Sequence, residues 1–209
     1  MMRSSIMGRL GENYAFAIWV KPRQTIRNII NERIDRLSVI LAVLVGITQT
    51  LLLLDHKWNQ MSIFNIFLIG LVLGAIGGIL FMYIIGAAFT WTGRMVGGKG
   101  SFREVRLALI WGNVPQIYFF ILRVIHLVLI GDVDSVFPIT PFINHSNSLI
   151  LIFVLLEFII AIWSIAINLK SLGEAHQFSA AKALQCVLLP SFIIVMLFTI
   201  FIVVHGLMT

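Results

Sequence analysis

The sequence predicts an all-α membrane protein: five transmembrane helices preceded by a basic amphipathic helix at the membrane interface. Three observations carry this. The 209 residues are 59% hydrophobic and only 11% charged, where a soluble domain carries about 25% charged residues. Mean hydropathy is +1.00. Five apolar runs are long enough to cross a hydrocarbon core about 30 Å thick, for which roughly 20 helical residues suffice. These features exclude a soluble enzyme, a disordered chain and a fibre. The length leaves no room for a soluble catalytic module beside the membrane part. The organisation expected is a basic N-terminal segment, residues 1–36, and a transmembrane domain, residues 37–209.

The spans read as Leu37–Leu54, Ile63–Trp91, Val105–Gly131, Leu149–Leu169 and Ala183–Leu207. The first is short. The second is long, so it tilts or its ends lie in the interface. Arg3, Arg9, Lys21, Arg23, Arg27, Arg33 and Arg36 precede span one, and the first loop has Lys57 alone. Arg94, Lys99, Arg103 and Arg106 follow span two, and Lys170 and Lys182 follow span four. The third loop has Asp132 and Asp134 but no base, and the C-terminal tail has none either. Thirteen basic residues thus fall on one side and one on the other, with Arg123 inside a span. The positive-inside rule places the N-terminus in the cytoplasm and the C-terminus outside, in an inner or plasma membrane. The net charge of +6 therefore reports topology rather than affinity for nucleic acid. Tyr14–Val20 is a short apolar run with no small-residue cleavage site after it, so the N-terminus is expected to be retained.

Residues 22–36 read as one amphipathic helix. Ile26, Ile29, Ile30, Ile34 and Leu37 recur at helical spacing, with Arg23, Arg27, Arg33 and Arg36 between them. Pro22 suits the first helical turn, and Trp19 before it suits the headgroup level. Such a helix fits either the anionic cytoplasmic leaflet or a protein partner.

The stretch Gly93-Arg94-Met95-Val96-Gly97-Gly98-Lys99-Gly100-Ser101 approaches the phosphate-binding pattern G-x-x-x-x-G-K-[ST]. Gly100 stands where the magnesium-holding hydroxyl is needed, and the stretch follows a membrane span rather than a strand, so no nucleotide is expected. The glycines instead suit a tight connection between spans two and three. Ser101 and Glu104 have the spacing of a capping box that starts span three.

In span two, Gly70, Gly74 and Gly78 form a small-xxx-small face, which lets helices approach closely, either within the chain or in a homo-oligomer. In span three, Gly112, Gln116 and His126 lie within about 60° of Arg123 on a helical wheel. Span four carries Glu157, Ala161, Ser164 and Asn168 as a matching stripe. Arg123 and Glu157 both lie roughly 12 Å in from the outer surface, so an ion pair between antiparallel neighbours is natural. A lone charge at that depth costs about 3 kcal/mol on insertion scales. The pair, with His126, Gln116 and Asn168, reads either as a structural lock or as a proton- or ion-linked site. Pro115 removes a hydrogen bond to the Trp111 carbonyl and kinks span three, with Asn113 placed to satisfy freed backbone groups. Asp132 and Asp134 read as solvated charges. His56, His145 and His205 are dispersed without metal-ligand spacing, and the lone Cys186 allows neither a disulfide nor a cysteine cluster. No metal or other cofactor is expected.

Several stretches together resemble the bacterial branch of the YIP (Ypt/Rab-interacting protein) family. They are Trp19-Val20-Lys21-Pro22-Arg23-Gln24-Thr25-Ile26, then Gly97-Gly98-Lys99-Gly100-Ser101-Phe102-Arg103-Glu104-Val105-Arg106, then Trp111-Gly112-Asn113-Val114-Pro115. Leu172-Gly173-Glu174-Ala175-His176 with Ser179 and Lys182 also fits. The resemblance covers nearly the whole chain. It implies five spans, a cytoplasmic N-terminus and a non-enzymatic adaptor role. Eukaryotic members bind prenylated small GTPases and vesicle-coat factors. No catalytic residue is implied. With no H-E-x-x-H, G-x-S-x-G or G-x-G-D pattern present, the expected role is a membrane adaptor or assembly factor. It would sit in the lipid bilayer and bind other integral membrane proteins. The alternative is a small transporter or channel built on the Arg123–Glu157 pair.

Overall fold

The computed structural model describes residues 14–32, 34–54, 62–130 and 148–208. Arg3, Arg9, Arg33, His56, Lys57, Asp132, Asp134, His145 and the side chain of His205 lie outside this description. The described residues form eight helices and no strand: α1 (14–20), α2 (Pro22–Glu32), α3 (Asp35–Leu53), α4 (Ile63–Met95), α5 (Phe102–Gly112), α6 (Val114–Ile130), α7 (Ser148–Ala175) and α8 (Ala180–Met208). Four stretches are long and apolar enough to cross a membrane: Asp35–Leu53, Phe64–Met95, Phe102–His126 and Leu151–Ala175.

The helices overrun the apolar runs at one end. α4 continues through Arg94 and Met95, and α7 continues through Lys170 and Glu174 to Ala175. Hydropathy locates the part of a helix that lipid can solvate, whereas backbone hydrogen bonding carries on wherever the chain has a surface to pack on. These overhangs, the start of α5, the start of α8 and all of α2 meet at one end of the molecule, called here the basic end.

The reading of residues 22–36 as one helix needs correction. α2 stops at Glu32, and Ile34 (φ −80°, ψ 50°) breaks the chain before α3 begins at Asp35. Its apolar face is turned onto the protein: Ile26 and Ile29 are fully buried with Val105, Trp111, Ile167 and Leu172. α1 joins α2 almost without a break, since Lys21 N–H donates to Ala17 O at 2.8 Å and Thr25 N–H donates to Lys21 O at 3.0 Å. Pro22, which has no N–H to offer, stands at the first position of α2, where none is needed.

α3 and α4 pack backbone to backbone. A methyl group added at Gly46 would collide with Gly74 O and with Gly78 Cα and N, one at Gly74 would meet Ile47 Cα at 2.5 Å, and one at Gly70 would strike Leu51. The glycine face of α4 is therefore filled by α3 of the same chain. Elsewhere α4 and α7 show lipid-compatible faces, with Leu73, Ile76, Leu80 and Ile84 exposed on the first and Leu155, Phe158 and Ile162 on the second.

The third apolar run is two helices rather than one. Asn113 separates them, its own N–H donating to Ile110 O at 3.1 Å and its side-chain amide donating to Leu109 O at 2.7 Å. The amide takes over the carbonyl that the backbone has abandoned, two residues before Pro115.

Candidate functional site

Two clusters of polar side chains stand out, one within the spans and one at the basic end. Within the spans, α6 supplies Arg123 and His126 one turn apart, and α7 supplies Glu157. His126 Nδ1–H donates to Glu157 Oε1 at 2.9 Å, and Arg123 Nη1 lies 3.5 Å from Glu157 Oε2 and 3.4 Å from His126 Nδ1. All three are largely buried, His126 to 1% exposure. The imidazole stacks on Phe153 with centroids 5.0 Å apart. With Nδ1 committed to Glu157, Nε2 is buried and has no hydrogen-bond partner among the described residues. One carboxylate thus gathers two nitrogen groups, which offsets the cost of each charge in an apolar setting. The chemistry available is proton exchange between imidazole and carboxylate beside a fixed cation.

Gln116 and Asn168, read from sequence as part of this cluster, are not brought to it. Asn168 lies eleven residues along α7 from Glu157, about 16 Å of helix, and donates to Ser164 O at 3.1 Å. It faces Gly112: a methyl group there would meet Asn168 Oδ1 at 2.7 Å. Gln116 makes no side-chain hydrogen bond among the described residues. A helical wheel reports a stripe along a face, and depth along the helix separates the residues on that stripe.

At the basic end the glycine loop between α4 and α5 closes around an imidazole from the far side of the chain. His176 is fully buried. Its Nε2–H donates to Phe89 O at 3.1 Å, and its Nδ1 accepts from Gly100 N–H at 3.3 Å. Both ring nitrogens are thus used in the neutral form. Added methyl groups at Gly93, Gly98 or Gly100 would all run into this ring. Lys99 N–H donates to His176 O at 3.1 Å, and Gly97 turns the chain at φ +90°, a conformation that glycine adopts without steric cost. Phe178 stacks on the ring at 5.1 Å. Burial pushes His176 below the ordinary histidine range, opposed by the Phe89 carbonyl and helped by Arg94.

Ser101 and Glu104 form the capping box: Ser101 N–H donates to Glu104 Oε2 at 2.7 Å, and Glu104 N–H donates to Ser101 Oγ at 3.3 Å. Arg106 lies 4.9 Å above the Tyr83 ring and 3.8 Å from Asp35. Arg103 grips the same Asp35 through Nε and Nη2, at 3.0 and 2.7 Å. α2 is fastened to α7 by Arg27 Nε donating to Glu174 Oε1 at 2.7 Å, and to the turn after α7 by Arg23 Nη2 donating to Phe178 O at 3.0 Å. The contact with Glu174 raises the Arg27 pKa. Tyr14 donates to Glu32 at 2.6 Å, and burial together with this bond pushes its hydroxyl up to about 12.

His176, Asp35, Arg103 and the Arg23–Arg27–Glu174 group were not singled out as site residues from sequence. A signal was present for His176. Four glycines crowded into positions 93–100 imply an object that leaves no room for side chains, and one turn alone does not require so many.

Comparison with family models matches the Yip1 domain over residues 16–202. No curated protein and no solved structure matches. The matched stretch takes in α2, the glycine loop, the intramembrane cluster and the His176 turn, and the chain belongs to the Yip1 domain family.

Proposed function

We propose that this protein is a non-enzymatic membrane adaptor or assembly factor of the bacterial YIP type that binds other integral membrane proteins through its basic end. The observation that carries the reading is an exposed patch held by the His176 clasp. Trp91 and Met95, one turn apart on α4, are 58% and 59% exposed, with Arg94 and Lys99 exposed beside them. Large apolar side chains flanked by bases, on a backbone pinned by buried hydrogen bonds, make a preorganised contact surface. In this reading α8 is the fifth span, since its 29 residues reach about 43 Å. The basic end faces the cytoplasm of an inner or plasma membrane.

The test is purification of the tagged protein from its native membrane in mild detergent after lysine crosslinking. A stoichiometric membrane protein crosslinked at Lys99, and lost on Met95→Glu, is the expected result. Recovery of the chain alone overturns the reading. A second reading, a proton-linked transporter, is favoured by His126 Nε2, which has no hydrogen-bond partner among the described residues and whose ring holds Glu157. It requires proteoliposomes to carry a proton-coupled flux that Glu157→Gln abolishes.

A further inference from the structure

The basic end also holds a cavity of about 540 Å³ lined by Arg23, Arg27, Glu174, Gln177, Phe178 and Ser179. Two guanidinium groups there share one carboxylate, Arg27 at 2.7 Å and Arg23 at 3.7 Å. The lining therefore keeps a positive charge. Arg27 spends only its Nε on Glu174, so its two terminal nitrogens have no protein acceptor among the described residues. A guanidinium with free donors in a cleft is suited to a phosphate, which can accept two parallel hydrogen bonds.

The surroundings identify the source of that phosphate. Lys170 Nζ lies 5.6 Å above the Trp163 ring, and Trp163 Nε1–H donates to Trp19 O at 3.0 Å. Tryptophan and lysine together mark the headgroup level of a membrane. Glu174 stands one turn beyond Lys170, about 6 Å further along α7. α1 and α2 also keep one helical phase through Lys21, so Phe16, Val20, Arg23 and Arg27, spaced by four, three and four residues, form one row. Phe16 and Val20 are 70% and 77% exposed. The row thus runs from exposed apolar side chains to a half-exposed and an exposed base, the sequence of chemistry met along a phospholipid from acyl chain to phosphate.

We propose that the Arg23–Arg27 cavity receives the phosphate of an anionic phospholipid whose acyl chains lie along Phe16 and Val20. This site is separate from the Trp91–Lys99 patch and does not depend on the adaptor reading. The test uses native mass spectrometry of the full chain in mild detergent, titrated with phosphatidylglycerol, phosphatidylcholine or inorganic phosphate. The wild type is expected to retain phosphatidylglycerol in preference to phosphatidylcholine, with inorganic phosphate at equal concentration failing to displace it. Each arginine near a membrane surface is worth about five-fold in affinity for anionic lipid, so the preference falls about thirty-fold in Arg23→Gln/Arg27→Gln. If that variant does not fold, Arg27→Gln alone decides, because this side chain is 67% exposed; the expected loss is then about five-fold. Survival of the preference in the folded arginine variants overturns the proposal. Displacement by inorganic phosphate overturns the lipid assignment in favour of a soluble anion.

Discussion

Three glycines stand around the His176 imidazole, and each lacks the one atom that would collide with it. The neutral ring accepts from Gly100 and donates to Phe89, so protonation would turn the acceptor into a donor aimed at an N–H. Burial already holds its pKa below the ordinary value, about 6.5 in an unfolded chain. Between the folded and unfolded values the unfolded chain binds more protons, so the stability is full above about pH 6.5 and is lost as pH falls through the lower, folded value. The thermal midpoint in detergent should therefore drop as pH falls below about 6.5. His176→Phe, which keeps a ring on Phe178, should flatten that drop. An equal drop in the variant would assign it to other groups. Arg123 and Glu157 make a second case at this scale. Removing one partner leaves a buried charge, so Glu157→Gln should cost about 3–5 kcal/mol, and Arg123→Leu/Glu157→Leu should recover most of it. Denaturant unfolding of the three proteins in one detergent measures both, and a double variant no better than the single would show that the pair is not coupled. This pair was legible in the sequence because charge within an apolar run is conspicuous and depth follows from residue counting. The His176 clasp was not, because the ring and its glycines are some 80 positions apart and nothing local couples them.

Helices α3 and α4 touch where neither has side chains. The row Gly70, Gly74 and Gly78 announces such a contact in the sequence, since small residues at that spacing let backbones approach closely. Its partner does not announce itself. Gly46 is a lone glycine in α3, yet a methyl group there would collide with the backbone of both Gly74 and Gly78. Gly77, beside the row, has nothing within 4 Å of such an added methyl group. Gly46→Ala should therefore destabilise the protein by about 1–3 kcal/mol through overpacking. Gly77→Ala should be neutral or stabilising by up to about 1 kcal/mol, because alanine favours helix. Thermal melts of the two variants side by side check this, and equal behaviour would mean that the helices are not in backbone contact. Helix ends were less legible for a related reason. Hydropathy stops at Leu169 in span four, while α7 runs on to Ala175 because Glu174 is held by Arg27 and the last turn packs beneath Phe178. Long-range contacts set that boundary, and a window of sequence does not contain them.

The whole molecule is asymmetric along its long axis. The basic end gathers α2, the glycine loop and the His176 turn, fixed by paired charges and by the largest buried cluster of apolar side chains. Away from that end, apolar faces of α4 and α7 lie bare. That division matches the distribution of charge along the sequence, where Lys and Arg cluster before span one, after span two and after span four. It places the ends of α4 and α7 and the starts of α5 and α8 together, as alternating helix directions require. If α8 crosses the membrane from the same side, the chain's two termini lie on opposite faces. A periplasm-dependent reporter such as alkaline phosphatase, fused after Thr209, should then be active, while a fluorescent protein that matures only in the cytoplasm should be dark there. The same reporters inserted after Gly97, in the loop on the basic end, should give the reverse pattern. Fluorescence at both positions would mean that α8 returns without crossing, leaving four spans and both termini beside the glycine loop. That outcome would remove the fifth span from the proposed topology. The His176 clasp and the Arg123–Glu157 pair would stand, because each is formed by elements that precede α8.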